Sequence, residues 1–529
     1  MKDFGYHDAG QRLLKDGKWV HNKRTNTDCL QLINVDLVYK PEYLPIITSK
    51  KSFWKAAVAE MLGYIKGYTN AQDFADLGAP TWFANANKTK AWLDNPNRKG
   101  EDDMGKAYRF RNQGYYVEFK PKKYEKPLHN VFSREFTLLD VDYTKRSNKT
   151  NTCKVGQKYT TKTGEFVVLS YEKDKKYKVQ FLSTGNVKIV NTGDIRNLTV
   201  RDYYYPVMFG VACRGEKYNT DHFLYKTWSH MISRCYDVNC ENYHMYGGRG
   251  VFVDNRWLCF ENFVEDFRKT ENWELKKVFP KEYSIDKDIS GSNMYSVHTV
   301  RWSTKKEQAR NTRNIKIYEL VENNETLRFF GLEHLGEYLN LEPKQAYYYV
   351  TKNNLTVIDK HEGIAYIEVD QIKNIYAKLI LGIDDRGLIA SAWQPHIEKY
   401  ACLRPCMYSH HFAINGDELD LISTQRSGDT PLGVPFNMIQ CYFFLKLMCH
   451  ITGFKQGNVY HKIVNFHLYE NQYRLFEEQM EREPFEPITK MFINPEIKTL
   501  DDVINKMTVD DVSISEYKHL PAIKYPFTE

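Results

Sequence analysis

The chain has 529 residues, 42% of them hydrophobic and 27% charged, a globular composition with ample material for a core. The formal charge is +7, but residues 115–365 carry 40 Lys+Arg against 32 Asp+Glu while the other 278 residues hold 34 against 35, so only the middle of the chain is basic. No apolar run reaches the roughly 20 residues of a membrane span, because the richest one, Met438 to Phe454, is broken by Lys446 and His450.

At about 150 residues per domain, the length predicts three or four folding units. Ten cysteines without a CxxC pair fit a reducing cytoplasm, and Met1 to Gly5 holds no apolar signal region, so secretion is not expected. Along the chain, Phe53 to Ile65 sets Trp54, Ala57, Val58, Met61, Leu62 and Ile65 at helical spacing, and Gly67 and Asn70 are expected to end the helix. Between Lys120 and Thr152 the composition shifts and periodicity weakens. Val155 to Val211 alternates short strand-like runs, Glu165 to Leu169 and Tyr177 to Leu182, with turn residues, which predicts a small β-barrel or meander. Residues 222–313 predict a helix, a glycine-rich hairpin at Gly247-Gly248-Arg249-Gly250, and further helices. Leu332 to Leu339 and Pro343 to Lys352 read as two short helices around a tight turn, a helix-turn-helix pattern. From Val369 the chain returns to long apolar elements such as Phe436 to Ile451. One domain interrupted by a long insertion is the simplest account.

Four phrases in the outer segments carry chemistry: Leu403-Arg404-Pro405-Cys406, Gln425-Arg426-Ser427-Gly428-Asp429, Leu432 to Asn437, and Phe466-His467-Leu468-Tyr469. A cysteine among cationic neighbours is a candidate nucleophile, although alone it reads about four times in five as a buried structural thiol. Guanidinium, hydroxyl, carboxamide, imidazole and phenol in ordered clusters suit a pocket that reads a phosphate, a base and a sugar. These phrases, with Glu60 to Asn70, Gly100 to Gly105 and Ile523 to Phe527, resemble the bacteriophage branch of the thymidylate synthases over residues 1–113 and 367–529.

The resemblance implies an α+β fold of mixed sheet and packed helices, a homodimer, and conversion of dUMP to dTMP with 5,10-methylenetetrahydrofolate as donor of carbon and hydride. It implies that Cys406 attacks C6 of dUMP. Arg426, Arg24, Gln425 and Ser427 would surround the substrate, and Arg386 would reach the phosphate from the other subunit. Asn437 would pair with N3–H and O4 of uracil, a match that cytosine would leave unsatisfied at a cost of about 1–3 kcal/mol. His467 and Tyr469 would bond the ribose 3′-hydroxyl. Glu60 would transfer protons near O4, and Tyr108 would help remove the C5 proton. Trp82, Asp429, Leu432, Gly433 and Phe436 would form the folate site, with Trp82 keeping water away. Three departures stand out: Gly387 follows Arg386 where an arginine is usual, Phe83 follows Trp82, and Arg109-Phe110-Arg111-Asn112 follows Tyr108.

The central segment resembles phage-encoded HNH-type homing endonucleases through Lys226 to Tyr236, Tyr246 to Val251, Arg256 to Phe263, Ser284 to Asp288 and Val300 to Asn311. Such a site needs a general base, an orienting Asn and a ligand for one divalent metal such as Mg²⁺. Asp286 and Asp288 are the metal candidates, with His298 and Asn311 beside them. Lys305, Lys306, Arg310 and Arg313 would contact DNA phosphates. Neither insertion boundary carries the residues of a self-splicing protein, so a stable fusion at a surface loop is expected.

The organisation expected is therefore 1–114 synthase, 115–152 junction, 153–215 small β module, 216–314 HNH-like ββα module, 315–365 helix-turn-helix-like segment, and 366–529 synthase. The expected setting is the cytoplasm of an infected bacterial host, with no membrane partner. Two alternatives stay open: a dUMP hydroxymethylase, and a mobile DNA-cleaving or DNA-binding protein with inactive synthase halves.

Overall fold

In a computed structural model of the chain, the described residues are 2–527 without 24–25, 96, 109, 112, 122, 127–136, 145–152, 313, 323–324, 360–362 and 395–400. They form two compact units. The first comprises Met1–Tyr115, Val321–Thr326 and Ile367–Glu529, and the second Tyr116–Leu320 and Leu327–Tyr366.

The first unit is built on a six-stranded sheet in the spatial order Lys18–Asn22, Thr27–Tyr39, Lys455–Tyr469, Glu418–Asp429, Met407–Asn415, Ile389–Ser391. Only Glu418–Asp429 and Lys455–Tyr469 run parallel. A parallel pair needs a crossover connection, and the helix Gly433–Thr452 supplies it, with fourteen of its twenty residues buried. An apolar helix of this kind belongs inside a core. The predicted Phe436–Ile451 element lies wholly within it.

Alternation along Lys455–Tyr469 turns Val459, His461 and Ile463 inward and leaves Tyr460, Lys462 and Val464 exposed. The helix Trp54–Lys66 packs against Gly433–Thr452 and ends where predicted, because Gly67 takes a left-handed backbone (φ +81°) and donates its N–H to the Gly63 and Tyr64 carbonyls. Asn70 does not close this helix but caps the next, Ala71–Asp76, by accepting the Gln72 N–H.

The chain leaves the first unit on Gln113–Glu118 and returns on Ile364–Val369, two strands that pair with each other. Just inside the first unit, Arg111 Nε donates to Asp370 Oδ2 at 2.8 Å with both side chains largely buried. The two flanks of the central segment are thereby tied together.

In the second unit, Lys158–Thr161, Gly164–Tyr171, Lys176–Phe181 and Val187–Asn191 form an antiparallel meander, as predicted, over a core of Phe166, Val168, Tyr177, Val179 and Phe181. The helix Tyr225–Tyr236 follows. The glycine-rich hairpin is not found: Gly247–Arg249 is a short 3₁₀ turn, and the following strand Phe252–Val253 pairs in parallel with Met294–Tyr295. Gly247 is required there for close approach, since a Cβ would lie 2.3 Å from the Cys235 carbonyl oxygen. Tyr283–Asp286 and Arg301–Thr304 pair antiparallel and run directly into the helix Lys305–Asn311. Two helices, Leu332–Leu339 and Pro343–Lys352, sit where predicted, separated by Asn340 in a left-handed backbone.

Candidate active site

Strand register assembles the site in the first unit. Met407 pairs with Gln425, so the Arg426 N–H donates to the Cys406 carbonyl at 2.8 Å. The Arg426 guanidinium folds over the same turn. Its Nε donates to Pro405 O at 3.0 Å, its Nη2 to Arg404 O at 2.8 Å, and Nη2 stands 3.6 Å from Cys406 Sγ. A cation is therefore fixed against a half-buried sulfur. The Cys406 N–H donates to the Tyr108 hydroxyl at 2.6 Å, so the loop carrying Tyr108 keeps its place although the central segment follows it. Burial, with the Cys406 thiol next in effect, holds the Tyr108 phenol well above its usual range.

A polar relay runs behind the cysteine. Burial pushes His461 down to about 3, so its ring is neutral and one nitrogen donates while the other accepts. The Tyr39 hydroxyl lies 2.8 Å from Nδ1, and Nε2 lies 2.8 Å from Gln425 Oε1. Gln425 Nε2 donates to Asn437 Oδ1 at 2.8 Å, Asn437 Nδ2 to Gln440 Oε1 at 2.9 Å, and Gln440 Nε2 to Glu60 Oε2 at 2.6 Å. Each donor hands on to the next acceptor, which fixes the Asn437 amide. Its second lone pair and second N–H are left for a ligand. Asn437 and Gln440 share a face of the long helix because they are three residues apart.

Glu60 ends the relay and accepts a further bond from the Tyr64 hydroxyl at 3.0 Å. Burial raises its carboxyl above the ordinary 4.5, while Tyr64, Gln440, Trp82 and Thr81 pull the other way. Tyr64 stacks on Tyr108 at 4.5 Å, and Trp82 meets both rings edge-on at 6.3 and 5.8 Å. The indole Nε1 of Trp82 is buried without a hydrogen-bond partner among the described residues. The same N–H is near enough to Glu60 to help lower its carboxyl, so Trp82 belongs to the Glu60 cluster.

The parallel register sets Ser427 beside Asn465 and Asp429 beside His467. His467 and Tyr469, two residues apart on one strand face, meet edge-on at 5.2 Å. Asp429 accepts from the Leu432 N–H at 3.1 Å and from Gln472 Nε2 at 3.2 Å. Burial lifts its carboxyl to about 6, against the lowering effect of those donors and of Lys50. Gln472 Nε2 also donates to Pro526 O at 3.1 Å, which draws the carboxyl-terminal stretch to the same place. Leu432, Gly433 and Phe436 form the start of the long helix beside it. Arg386 is exposed on a turn with a left-handed backbone (φ +58°), and Arg24 lies outside the described residues.

The thymidylate synthase profile matches residues 4–141 and 269–529. The chain belongs to the thymidylate synthase family. Proteins named thymidylate synthase from Aliivibrio fischeri, Shewanella frigidimarina and Vibrio cholerae are each 28% identical to it, over 527, 525 and 526 residues. These cover 99% of this chain in every case and 99%, 98% and 99% of the relatives. The synthase match is split, and the unmatched stretch, 142–268, falls within the second unit. No described helix is long and apolar enough to cross a membrane.

The synthase residues expected from the sequence thus converge, apart from the exposed Arg386 and the undescribed Arg24. The expected metal residues do not. Asp286 Oδ1 accepts the Asp288 N–H, Asp288 Oδ1 is 2.5 Å from Lys287 Nζ, and His298 is exposed. Asn311 is consumed by the Glu307 carbonyl and by both backbone groups of Tyr366. Among the described residues no group of three or more His, Cys, Asp or Glu is placed to hold a metal ion. Lys306 and Arg310 are both paired with Glu337, and Arg313 lies outside the described residues. The relay members Tyr39, His461, Gln440 and Tyr64, and the bridging Gln472, escaped the sequence reading.

Proposed function

We propose that the chain catalyses the reductive methylation of dUMP to dTMP, with Cys406 as nucleophile. The observation that carries this is the Arg426 guanidinium 3.6 Å from Cys406 Sγ, with Tyr108 on the cysteine backbone and the Glu60 relay behind. A sulfur beside a fixed cation is disposed to attack an electron-poor carbon. Arg426 and Ser427 hold the substrate phosphate, with Arg24 and Arg386 completing the clamp. Asn437, held by Gln425 and Gln440, reads the uracil edge, while His467 and Tyr469 hold the sugar.

Glu60, with a carboxyl raised by burial, exchanges protons near O4, where a pKa nearer neutrality helps. Tyr108 accepts the C5 proton through its network. Methylenetetrahydrofolate supplies the carbon and the hydride. Residues present fit it: Trp82 offers a buried apolar wall against water beside Glu60, and Asp429 offers a carboxyl raised to about 6 at the mouth of the long helix. The water-excluding wall favours methyl transfer over hydroxymethylation.

A homodimer follows from the outer sheet face. Register lines up Val38, Tyr460, Ile422, His411 and Ile389 across five strands. Val38, Tyr460 and Ile389 are each about two-fifths exposed. An apolar row of that extent is a surface that another protein covers, and a second copy would bring its Arg386. For the second unit, the strand pair feeding Lys305–Asn311 and the helix pair 332–352 favour a DNA-contacting module spanning 153–365. Nicking of supercoiled DNA with added Mg²⁺ tests cleavage. Tritium release from C5-labelled dUMP with the reduced folate, followed by identification of the product, tests the synthase. Hydroxymethyl-dUMP as product would replace this reading with the hydroxymethylase.

A further inference from the structure

Of the four cations that the sequence assigned to DNA, Lys306 and Arg310 are occupied, Lys305 is exposed, and Arg313 lies outside the described residues. Lys306 and Arg310 share Glu337 at 3.3 and 2.6 Å, and Arg310 is buried with its Nη1 donating to the Tyr366 hydroxyl at 2.7 Å. Charge counting points elsewhere. Residues 116–200 hold 17 Lys+Arg against 9 Asp+Glu, whereas 201–365 hold 23 against 23. The whole basic surplus of the central segment precedes the HNH-like part.

The meander, residues 158–196, carries half of that surplus, 8 Lys+Arg against 4 Asp+Glu. Lys158 pairs with Val167, Lys178 with Ile189 and Lys176 with Asn191, on the face opposite the buried Phe166, Val168, Tyr177 and Val179. Lys162 lies at one hairpin tip, and Lys173 and Lys175 at the other. Among the described residues none of the ammonium groups of these six lysines has a carboxylate or hydrogen-bond partner, whereas that of Lys188 is paired with Glu216. The second tip is firmly built. Asp174 and Lys175 both take left-handed backbones, the geometry that suits strand twist in a tight hairpin, and Thr192 donates both its N–H and its hydroxyl to Lys175 O. Lysines two apart on a strand stand about 7 Å apart. Glu172, across from Lys176, and Glu165 offset only part of their mutual repulsion, and a polyanion relieves the remainder while releasing its own counterions.

We propose that this lysine-bearing face of the meander binds the backbone of double-stranded DNA through its phosphates, without reading sequence. The proposal rests on the reading of the second unit as a DNA-contacting module and gives it a surface. Lysine is a point charge without the planar fork that reads base edges. Single strands are held by stacking on exposed aromatic rings, and the outer strand positions show Val187 and Ile189 instead, the rings of Tyr159 and Tyr171 being packed on the core.

The test is fluorescence anisotropy of a labelled 30-base-pair duplex with the full chain between 50 and 200 mM salt. The variant carries Lys173→Gln, Lys175→Gln, Lys176→Gln and Lys178→Gln, and Lys305→Gln with Lys306→Gln serves as comparison. At about 0.9 per phosphate contact, the four substitutions should lower the slope of log K against log salt by roughly 3.6, and the comparison variant should leave it unchanged. A single strand of equal length should bind more weakly. An unchanged slope in the four-lysine variant, with tight wild-type binding, overturns this surface and leaves the DNA-contacting reading standing. Absence of wild-type binding overturns both. An unchanged far-ultraviolet circular dichroism spectrum and urea transition show that the variant's meander is folded, and unaltered tritium release shows the same for the first unit.

Discussion

Arg426 does three things at one residue: it caps the turn before Cys406, braces two carbonyls and sets a cation by the sulfur. Cys406→Ala removes the nucleophile and should reduce tritium release to background while dUMP still binds. Gln440→Leu deletes a donor to Glu60, a hydrogen bond to a charged group worth about 1.5 kcal/mol or more, or a factor of about ten. With less support for the carboxylate, the Glu60 pKa rises further, so the acid limb of the kcat profile should move to higher pH with kcat falling about tenfold. A profile that falls without moving would assign Gln440 a packing role alone. Asp429 has the opposite signature in stability. Its carboxyl is raised from 3.8 to about 6, so the protonated form is the one the fold favours. That contribution is complete below pH about 4 and is lost as pH rises through 6. Asp429→Asn should therefore gain in Tm relative to wild type above pH 6, and the gain should vanish below pH 4. The relay also shows what a single sequence hides. Asn437 was legible from its motif, but His461 and Tyr39 sit at ordinary inward strand positions, and only register reveals that they meet Gln425.

At the scale of elements, the buried pair Arg111–Asp370 spans the flanks of the central segment. Asp370 also caps the helix Gln371–Ile380 by accepting the Lys373 N–H. Removing one partner leaves a buried charge uncompensated, at about 3–5 kcal/mol. Asp370→Ala should lower the stability of the first unit by that amount in urea, and a loss below about 1 kcal/mol would mean that the strands close without the ion pair. Periodicity placed the helices at 54–66, 332–339 and 343–352 well and marked 436–451 as a core element, because one-faced or all-round apolar patterns survive without tertiary context. The glycines at 247–250 were misread because a glycine signals a turn and a close backbone approach alike, and here it serves the second. The freedom of Lys306 and Arg310 was overestimated for a similar reason: their partner Glu337 lies in a later helix that no local window includes.

For the whole molecule, the outer sheet row predicts assembly. Tyr460→Glu places a charge in the middle of the apolar face and should give monomers in sedimentation velocity, with a raised KM for dUMP because Arg386 would be missing from the partner's phosphate site. A monomeric variant with unchanged KM would remove Arg386 from the clamp. The central claim is that two distant stretches of one chain still make a working synthase around the segment between them. Its most direct test is tritium release from C5-labelled dUMP by the purified, unprocessed 529-residue chain with methylenetetrahydrofolate. The account predicts stoichiometric release with dTMP formed and none from Cys406→Ala. Substrate bound without release by the intact chain, or release that persists in Cys406→Ala, would contradict it.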